Sequence, residues 1–266
     1  MDPILTVTSA QIDAWILAYM FPMARILAVL ATAPLFNNVA MTAQTRLICG
    51  LAIAMALAPA LPPVPKMPAD SWQAGATLMQ EMLIGTIMGF SLRIIFAAID
   101  VAGDLIGMQM GLSFAILYDP QTAGQTPVIT NFLTLITMLI FMASNGHLLL
   151  ISLLAESYEL LPISTVPFAA DSLRTVVASG VILFSLGLMM SMPIVAALLI
   201  TNIGLGVLTR VAPTLNLFAI GFIVTLTAGF IVFALTLPYI GVALEKLFDL
   251  AFLNLGHFLQ AARAGA

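Results

Sequence analysis

Four long stretches of this chain contain no charged residue, and they constrain its fold more than any other feature. They are residues 47–65, 120–155, 175–209 and 211–244. About 20 consecutive apolar residues cross the hydrocarbon core of a bilayer, so stretches of this length are typical of transmembrane helices. Of the 266 residues, 62% are hydrophobic and 8% are charged, whereas soluble domains have about 45–50% and 25%. The sequence therefore predicts an integral membrane protein.

The fold class predicted from these stretches is all-α, a polytopic helical membrane protein with about six long hydrophobic helices. Two further apolar runs that each tolerate a charge complete the set. The six helices are expected near residues 12–32, 46–62, 72–112, 128–153, 173–200 and 215–238. No fixed-period repeat or low-complexity linker divides the chain, so we expect residues 1–266 to form a single unit.

A C-terminal amphipathic helix is predicted over residues 242–266. At about 100° per residue, its polar side chains fall on one face and its apolar side chains fall on the other. The polar face consists of Glu245, Lys246, Asp249, His257, Gln260 and Arg263, and the apolar face of Leu247, Phe248, Ala251, Leu255, Phe258 and Leu259. Such a helix lies on a bilayer surface or docks on a partner.

Residues suited to catalysis or metal binding are scarce. The chain has one cysteine and two histidines, His147 and His257, and it contains no HExxH, CxxC, GxSxG or P-loop pattern. The net charge of −4 is spread without an acidic or basic run, which argues against nucleic acid as a partner. We therefore expect no enzyme activity, no metal and no cofactor.

The predicted third helix carries a stripe of charged and small residues. Its members are Glu81, Gly85, Gly89, Arg93, Asp100, Gly103, Asp104, Gly107 and Gly111. At about 100° per residue they share an arc of about 140°. Lipid is a poor neighbour for this face because a charge at mid-bilayer costs several kcal/mol, and glycines four apart let helices approach closely. Packing within the chain would explain the glycines alone, but the charges favour an interface with other subunits or a conduit wall.

Arg25 lies in the middle of the first predicted helix. An arginine at this depth must find an anion or backbone carbonyls. Glu81 and Asp100 are the candidate partners within the chain, and a carboxylate on a neighbouring subunit is the alternative.

Residues 107–128, after the third helix, are rich in methionine and glycine in their first half. Their apolar members are Met108, Met110, Leu112, Phe114, Ile116 and Leu117. Methionine side chains repack around changing shapes, and a hydrophobic constriction closes a passage by excluding water. This segment is predicted to be either a gate or an ordinary re-entrant packing loop.

Five sequence blocks resemble the FliR family of flagellar biosynthesis proteins. They are FPMARILAVLATAPLF (21–36), RLICGLAIAMALAPALP (46–62), MGLSFAILYDP (110–120), SNGHLLLISLL (144–154) and TRVAPTLNLFAIGF (209–222). The last block contains the family's C-terminal motif, here Arg210, Pro213, Asn216, Phe218 and Gly221. Thr214 departs from the family pattern, in which a glutamine follows the proline.

The resemblance implies a non-enzymatic subunit of the flagellar type III export gate in the bacterial inner membrane, at the flagellar basal body. Its implied partners are FliP, FliQ, FlhB and FlhA, together with the unfolded flagellar proteins that cross the gate. Residues 1–170 would be FliP-like and 171–266 FliQ-like, in a helical hetero-oligomeric channel. The implied plug comprises Met108, Met110, Gly111, Leu112, Ser113, Phe114, Ala115, Ile116 and Leu117, and we expect deletion of 108–117 to raise ion leak without preventing assembly.

Two other functions fit the same sequence. The first is the equivalent export-gate subunit of a virulence injectisome, which would share the mechanism but export different cargo. The second is a small-solute secondary transporter that uses Glu81, Asp100 and Asp104 as proton or ion carriers. An intramembrane enzyme is less favoured, because the sequence offers no nucleophile and base pair.

Overall fold

The computed structural model describes residues 9–37, 41–65, 67–112, 127–166, 170–212 and 217–264. Within these ranges the chain is all-α, with seven α-helices and no β-strand. The helices are α1 (Ser9–Thr32), α2 (Ala43–Leu57), α3 (Trp72–Gln109), α4 (Val128–Ala143), α5 (Gly146–Leu160), α6 (Ala170–Val211) and α7 (Leu217–Ala264), and a short 3-10 turn (Ala58–Ala60) follows α2.

Four of the described helices, α1, α3, α6 and α7, are long and apolar enough to cross a membrane. The bent pair formed by α4 and α5 would make a fifth span. The prediction of six spans is therefore too high for the described chain. The helix expected at 46–62 is the main reason, because α2 has 15 residues and a span needs about 20.

The single helix predicted over 128–153 is wrong, because the chain turns sharply between α4 and α5. The two helices meet at an angle of 64°. Ser144 donates its backbone N–H to the Ile140 carbonyl and closes α4, and Asn145 adopts a φ of 56°. This left-handed conformation stops a helix, and asparagine is one of the few residues that adopt it readily.

The sixth predicted helix and the amphipathic tail are one continuous helix, α7. Pro238 lies inside it, and a proline removes one backbone hydrogen bond without ending a helix that neighbouring segments hold in place. The predicted two-faced pattern at its end is confirmed. The side chains predicted to be polar-facing are exposed, whereas those predicted to be apolar-facing are buried, from Leu247 at 8% exposure to Leu259 at 0%. The chain itself covers this apolar face.

The chain divides into two compact units, each assembled from separate segments. The first unit contains Met1–Arg93, Gly146–Ser179 and Leu250–Ala266, and the second contains Ile94–Asn145 and Gly180–Asp249. The division into 1–170 and 171–266 that the resemblance implies stays a prediction.

In the first unit, glycines of α3 let α1 approach closely. A Cβ atom at Gly85 would overlap the backbone carbonyl of Arg25, and one at Gly89 would overlap the Thr32 side chain. The small-residue spacing of this part of the stripe therefore serves packing between helices of the same chain.

In the second unit, three glycines bring other helices close to α3 or α4. A Cβ at Gly187 of α6 would stand 2.8 Å from the Ala98 carbonyl oxygen, and one at Gly103 would stand 2.5 Å from the α-carbon of Thr130. Gly229 of α7 faces Met110 at the end of α3. An aromatic cluster fills the space between these helices, with ring centroids 5.0–6.2 Å apart among Phe96, Phe141 and Phe248.

Candidate functional site

Arg25 is the centre of a polar cluster inside the first unit. Its side chain is completely buried, although a guanidinium has five N–H donors to satisfy. The described structure supplies five acceptor contacts: Nε and Nη2 donate to Glu81, Nη1 donates to the Ser157 carbonyl and hydroxyl oxygens, and Nη2 also donates to the Leu161 carbonyl oxygen. The buried charge therefore has a partner for each of its donors.

Glu81 forms the ionic half of this cluster. The Arg25 Nε lies 2.7 Å from Glu81 Oε2, and Nη2 lies 3.0 Å from Oε1, so the pair is bidentate. Glu81 is also completely buried. Glu81 was one of the two partners within the chain expected for Arg25, and that expectation is confirmed. The approach of α1 at Gly85, one turn along α3, brings the two side chains within reach.

The other half of the cluster closes the C-terminal end of α5. The last carbonyls of an α-helix have no partner within the helix, and the Ser157 carbonyl accepts the N–H of Leu161, just beyond α5, at 2.9 Å. Arg25 Nη1 lies 2.9 Å from the Ser157 carbonyl oxygen and 3.0 Å from its hydroxyl, and Nη2 lies 2.9 Å from the Leu161 carbonyl oxygen. A cation at this end also complements the helix dipole. Arg25 therefore acts as the C-terminal cap of α5.

Tyr158 covers the remaining face of the guanidinium. Its ring centroid lies 4.3 Å from Arg25 Cζ, which is within the range of a cation–π contact. Its hydroxyl donates to the Pro22 carbonyl at 2.9 Å and so links α5 directly to α1. Tyr158 itself is 1% exposed.

This arrangement links α1, α3 and α5, and its polar groups bond to one another. Sequence reasoning did not find Ser157, Tyr158 or Leu161, which lie more than 130 positions from Arg25. Two of the acceptors are backbone carbonyls, which have no sequence signature. In the described part of the chain, no group of three or more His, Cys, Asp or Glu side chains could hold a metal ion.

The second half of the predicted stripe lies in a different environment. Asp104 accepts a hydrogen bond from the Thr130 hydroxyl at 2.7 Å, and Asp100 accepts one from the Thr134 hydroxyl at 2.7 Å. Both aspartates are exposed, as is Arg93. Gly103 and Gly107 are buried, and Gly103 packs against Thr130. The glycines of the stripe within α3 thus lie inside the chain, whereas Arg93, Asp100 and Asp104 form an open face, and a role for that face in subunit contact stays a prediction.

The predicted gate segment begins within α3. Met108 belongs to the last turn and is 55% exposed, whereas Met110 is 0% exposed. Gly111 has a φ of 82° and ends the helix, and Leu112 follows it. The other predicted plug residues, Ser113, Phe114, Ala115, Ile116 and Leu117, lie outside the described residues, so the plug stays a prediction.

The C-terminal family motif spans the connection between α6 and α7. Arg210 is exposed at the end of α6. Phe218 lies in the first turn of α7, and a Cβ at Gly221 would meet Leu205 of α6 at 3.9 Å. Pro213 and Asn216 lie outside the described residues.

The long apolar helices, together with a buried and fully satisfied arginine, define the class: a polytopic helical membrane protein. A family profile described as bacterial export proteins, family 1, matches residues 16–251. The chain belongs to this family.

Similar proteins match nearly the whole chain. The flagellar biosynthetic protein FliR of Pectobacterium carotovorum is 40% identical over 248 residues, which are 93% of this chain and 95% of the relative. FliR of Escherichia coli K12 is 38% identical over 245 residues, with 92% and 94% covered. FliR of Bacillus subtilis is 27% identical over 236 residues, with 88% and 91% covered. The resemblance stated from the sequence blocks is confirmed.

Proposed function

We propose that this chain is a subunit of the flagellar type III protein export gate. With FliP-like and FliQ-like subunits it would form a channel that passes unfolded flagellar proteins across the bacterial inner membrane, next to FlhB and FlhA. Its similarity to FliR over more than nine-tenths of its length supports the flagellar assignment. The proposal gives the chain a structural role and no catalytic step.

The observation that carries the proposal is the length of uncovered apolar surface on α6. Exposed large apolar side chains extend from Val181 to Leu208 with no exposed charge among them, whereas on α7 they extend from Ile220 to Val242 and the exposed charges of Glu245, Lys246 and Asp249 follow. At 1.5 Å per residue the α6 stretch is about 40 Å long, against about 30 Å for the hydrocarbon core of a bilayer. A helix would need a tilt at the upper end of the usual range to place all of this stretch in the core. Cover by other polypeptides accounts for the excess length.

The transporter alternative is weakened by Glu81. A carrier carboxylate must be free to bind and release its ion, but both oxygens of Glu81 accept hydrogen bonds from Arg25 in a fully buried pair. The injectisome alternative gains no support from the relatives described above, which are flagellar proteins by name.

Co-purification tests the assembly. An affinity-tagged chain is expressed with and without FliP-like and FliQ-like subunits from the same source, and the gently solubilised product is weighed by native mass spectrometry. We expect one hetero-oligomer that contains all three subunits. A monomer or homo-oligomer that transports a small solute in vesicles would contradict the proposal.

The gate is tested separately by replacing residues 113–117 with Gly-Ser-Gly-Ser-Gly. This change keeps the chain length and leaves the end of α3 intact, but it removes the apolar side chains that would exclude water. We expect assembly to be retained and ion conductance through the complex to rise. Unchanged conductance in an assembled complex would contradict the gate assignment.

A further inference from the structure

A groove runs between α6 and α7 within the second unit. Its volume is about 420 Å³, which falls in the range of about 300–1,000 Å³ typical of small-molecule sites. Leu186, Met189 and Pro193 line the groove from α6, and Ile240 and Ala243 line it from α7. A wall of this kind offers close apolar contact to a hydrocarbon chain and few hydrogen bonds to a polar solute.

A cation stands at one end of this apolar groove. Lys246 lies close to the C-terminal limit of the lining on α7. It is exposed, and among the described residues no carboxylate forms an ion pair with it. Glu245 and Asp249 are exposed acidic neighbours on α7, but neither lines the groove. The Lys246 ammonium is therefore available to an anion at this end of the groove.

The position of Lys246 along α7 corresponds to the surface of a bilayer. Exposed large apolar side chains of α7 extend from Ile220 to Val242, over about 33 Å at 1.5 Å per residue. This length matches the hydrocarbon core, which is about 30 Å thick. Lys246 follows one turn later, where a lysine near the end of a membrane helix reaches the headgroups. The apolar stretch of α7 therefore fits a bilayer without cover from another polypeptide, unlike that of α6.

The length of the groove matches one leaflet of that bilayer. Its lining on α7 extends from Thr236 to Leu247, which is about 16 Å of helix. Half of the hydrocarbon core is about 15 Å. The groove thus begins among the headgroups at Lys246 and ends near the middle of the bilayer, which is the path of one lipid acyl chain.

We propose that this groove binds an anionic phospholipid, with one acyl chain between α6 and α7 and the phosphate group against the Lys246 ammonium. Charge complementarity favours a lipid with a net negative charge, because Lys246 repels the cationic headgroup of a zwitterionic lipid. The site belongs to the single chain and does not depend on the proposed export gate.

Photo-crosslinking tests where the lipid binds. The full-length chain is placed in phosphatidylcholine nanodiscs with a trace of probe lipid, either phosphatidylglycerol or phosphatidylcholine, that carries the same diazirine-labelled acyl chain. Labelled positions are identified by mass spectrometry. We expect the phosphatidylglycerol probe to label residues 186–193 and 236–247 several-fold more than the phosphatidylcholine probe does. Both probes should label the exposed apolar residues between 199 and 207 of α6 equally, because these do not line the groove.

Lys246→Gln tests the contact with the headgroup. This change should bring the ratio of groove labelling by the two probes close to one, whereas Lys246→Arg should retain the preference. Since Lys246 is exposed, neither change should impair folding. The matched control is Arg210→Gln, which removes an exposed cation at the end of α6 that does not line the groove. It should leave the ratio unchanged.

Ala243→Phe tests the contact with the acyl chain. The phenyl ring would occupy the space that a hydrocarbon chain needs, so groove labelling by both probes should fall several-fold. Leu235→Phe on the same helix is the control, because Leu235 is 68% exposed and does not line the groove. If Ala243→Phe does not fold, Met189→Trp narrows the groove from α6, where the side chain is already 70% exposed, and the same loss is expected.

Three results overturn the inference. Equal labelling of the groove by the two probes in the unaltered chain would show that only ordinary bilayer lipid enters it. An unchanged preference in Lys246→Gln would remove the phosphate contact. Loss of groove labelling by both probes, when the chain is assembled with FliP-like and FliQ-like subunits, would show that a polypeptide covers the groove, and this result would leave the proposed function intact.

Discussion

The two halves of α3 place their carboxylates in opposite environments. Glu81 is completely buried and accepts two hydrogen bonds from a guanidinium. Asp104, about six turns further on, is exposed and accepts one hydrogen bond from a threonine hydroxyl. One helix thus carries a carboxylate committed to the interior of the chain and a carboxylate that is still accessible from outside.

This contrast shows what burial requires of a charge. An ionised group inside an apolar region is tolerated only when it is paired and its remaining donors are satisfied, and the Arg25 cluster meets both conditions. An exposed carboxylate keeps part of its acceptor capacity, because it offers about four lone-pair sites. The buried carboxylate of Glu81 is therefore suited to holding the chain together, and the exposed face that carries Asp104 is suited to meeting a partner.

Arg25→Met should have the largest effect on stability. It leaves Glu81 buried without a partner and removes the cap of α5, and breaking one side of a buried ion pair costs about 3–5 kcal/mol. Thermal unfolding of the detergent-solubilised chain measures the loss. Arg263→Met, which changes an exposed arginine, should shift the unfolding midpoint little. An equal shift in both variants would show that burial does not make Arg25 more important to stability than an exposed arginine.

Arg25→Met combined with Glu81→Met should be less damaging than Arg25→Met alone. The double change removes both buried charges, and hydrophobic replacement of a buried pair is often neutral. The Leu161 carbonyl loses its Arg25 donor, whereas the Ser157 carbonyl keeps the Leu161 N–H, so a residual loss of about 1–3 kcal/mol is expected. A double-mutant cycle in the same unfolding assay gives the coupling free energy between Arg25 and Glu81. If the two single-variant losses of stability simply add, the ion pair is not the main contribution of these residues to stability.

Gly85→Ala tests the close approach on which the ion pair depends. The new Cβ would overlap the Arg25 carbonyl, and overpacking of this kind costs about 1–3 kcal/mol. Gly75→Ala on the same helix is the control, because a Cβ there would have no atom within 4 Å. Equal unfolding midpoints for the two variants would exclude a tight contact at Gly85.

Asp104→Asn should have the smallest effect on the isolated chain. An asparagine side-chain oxygen can still accept from Thr130, so we expect a loss below about 1 kcal/mol. If the open face contacts another subunit, the same change should reduce the yield of FliP-like or FliQ-like protein in co-purification. Full recovery of both partners would remove the proposed role of Asp104 in assembly.

Helix positions were largely predictable because the length of each apolar stretch can be read directly from the sequence. The predicted ranges 12–32 and 72–112 agree closely with α1 and α3. The break at Asn145 and the continuity through Pro238 were not predicted. In both cases the local residue permits more than one outcome, and packing against other segments decides between them.

The site was predictable only in part, for a different reason. Few carboxylates share an apolar region with Arg25, so the rule that a buried charge must be paired was enough to select Glu81 as a candidate. The carbonyls of Ser157 and Leu161 could not be selected, because every residue has one. The contact between Met110 and Gly229 depends on the absence of a side chain, which a sequence shows only as one glycine among 18.

Arg25 bonds to α5 mainly through main-chain oxygens. The positions of the cluster therefore differ widely in how well they tolerate substitution. Position 161 supplies its oxygen whatever side chain it has, and only packing restricts the choice of residue there. Ser157 keeps its carbonyl contact when its hydroxyl is lost. Position 25 has no such freedom, since no other amino acid presents five donors in a planar fork. Random variation should therefore accumulate at the end of α5 while position 25 remains arginine.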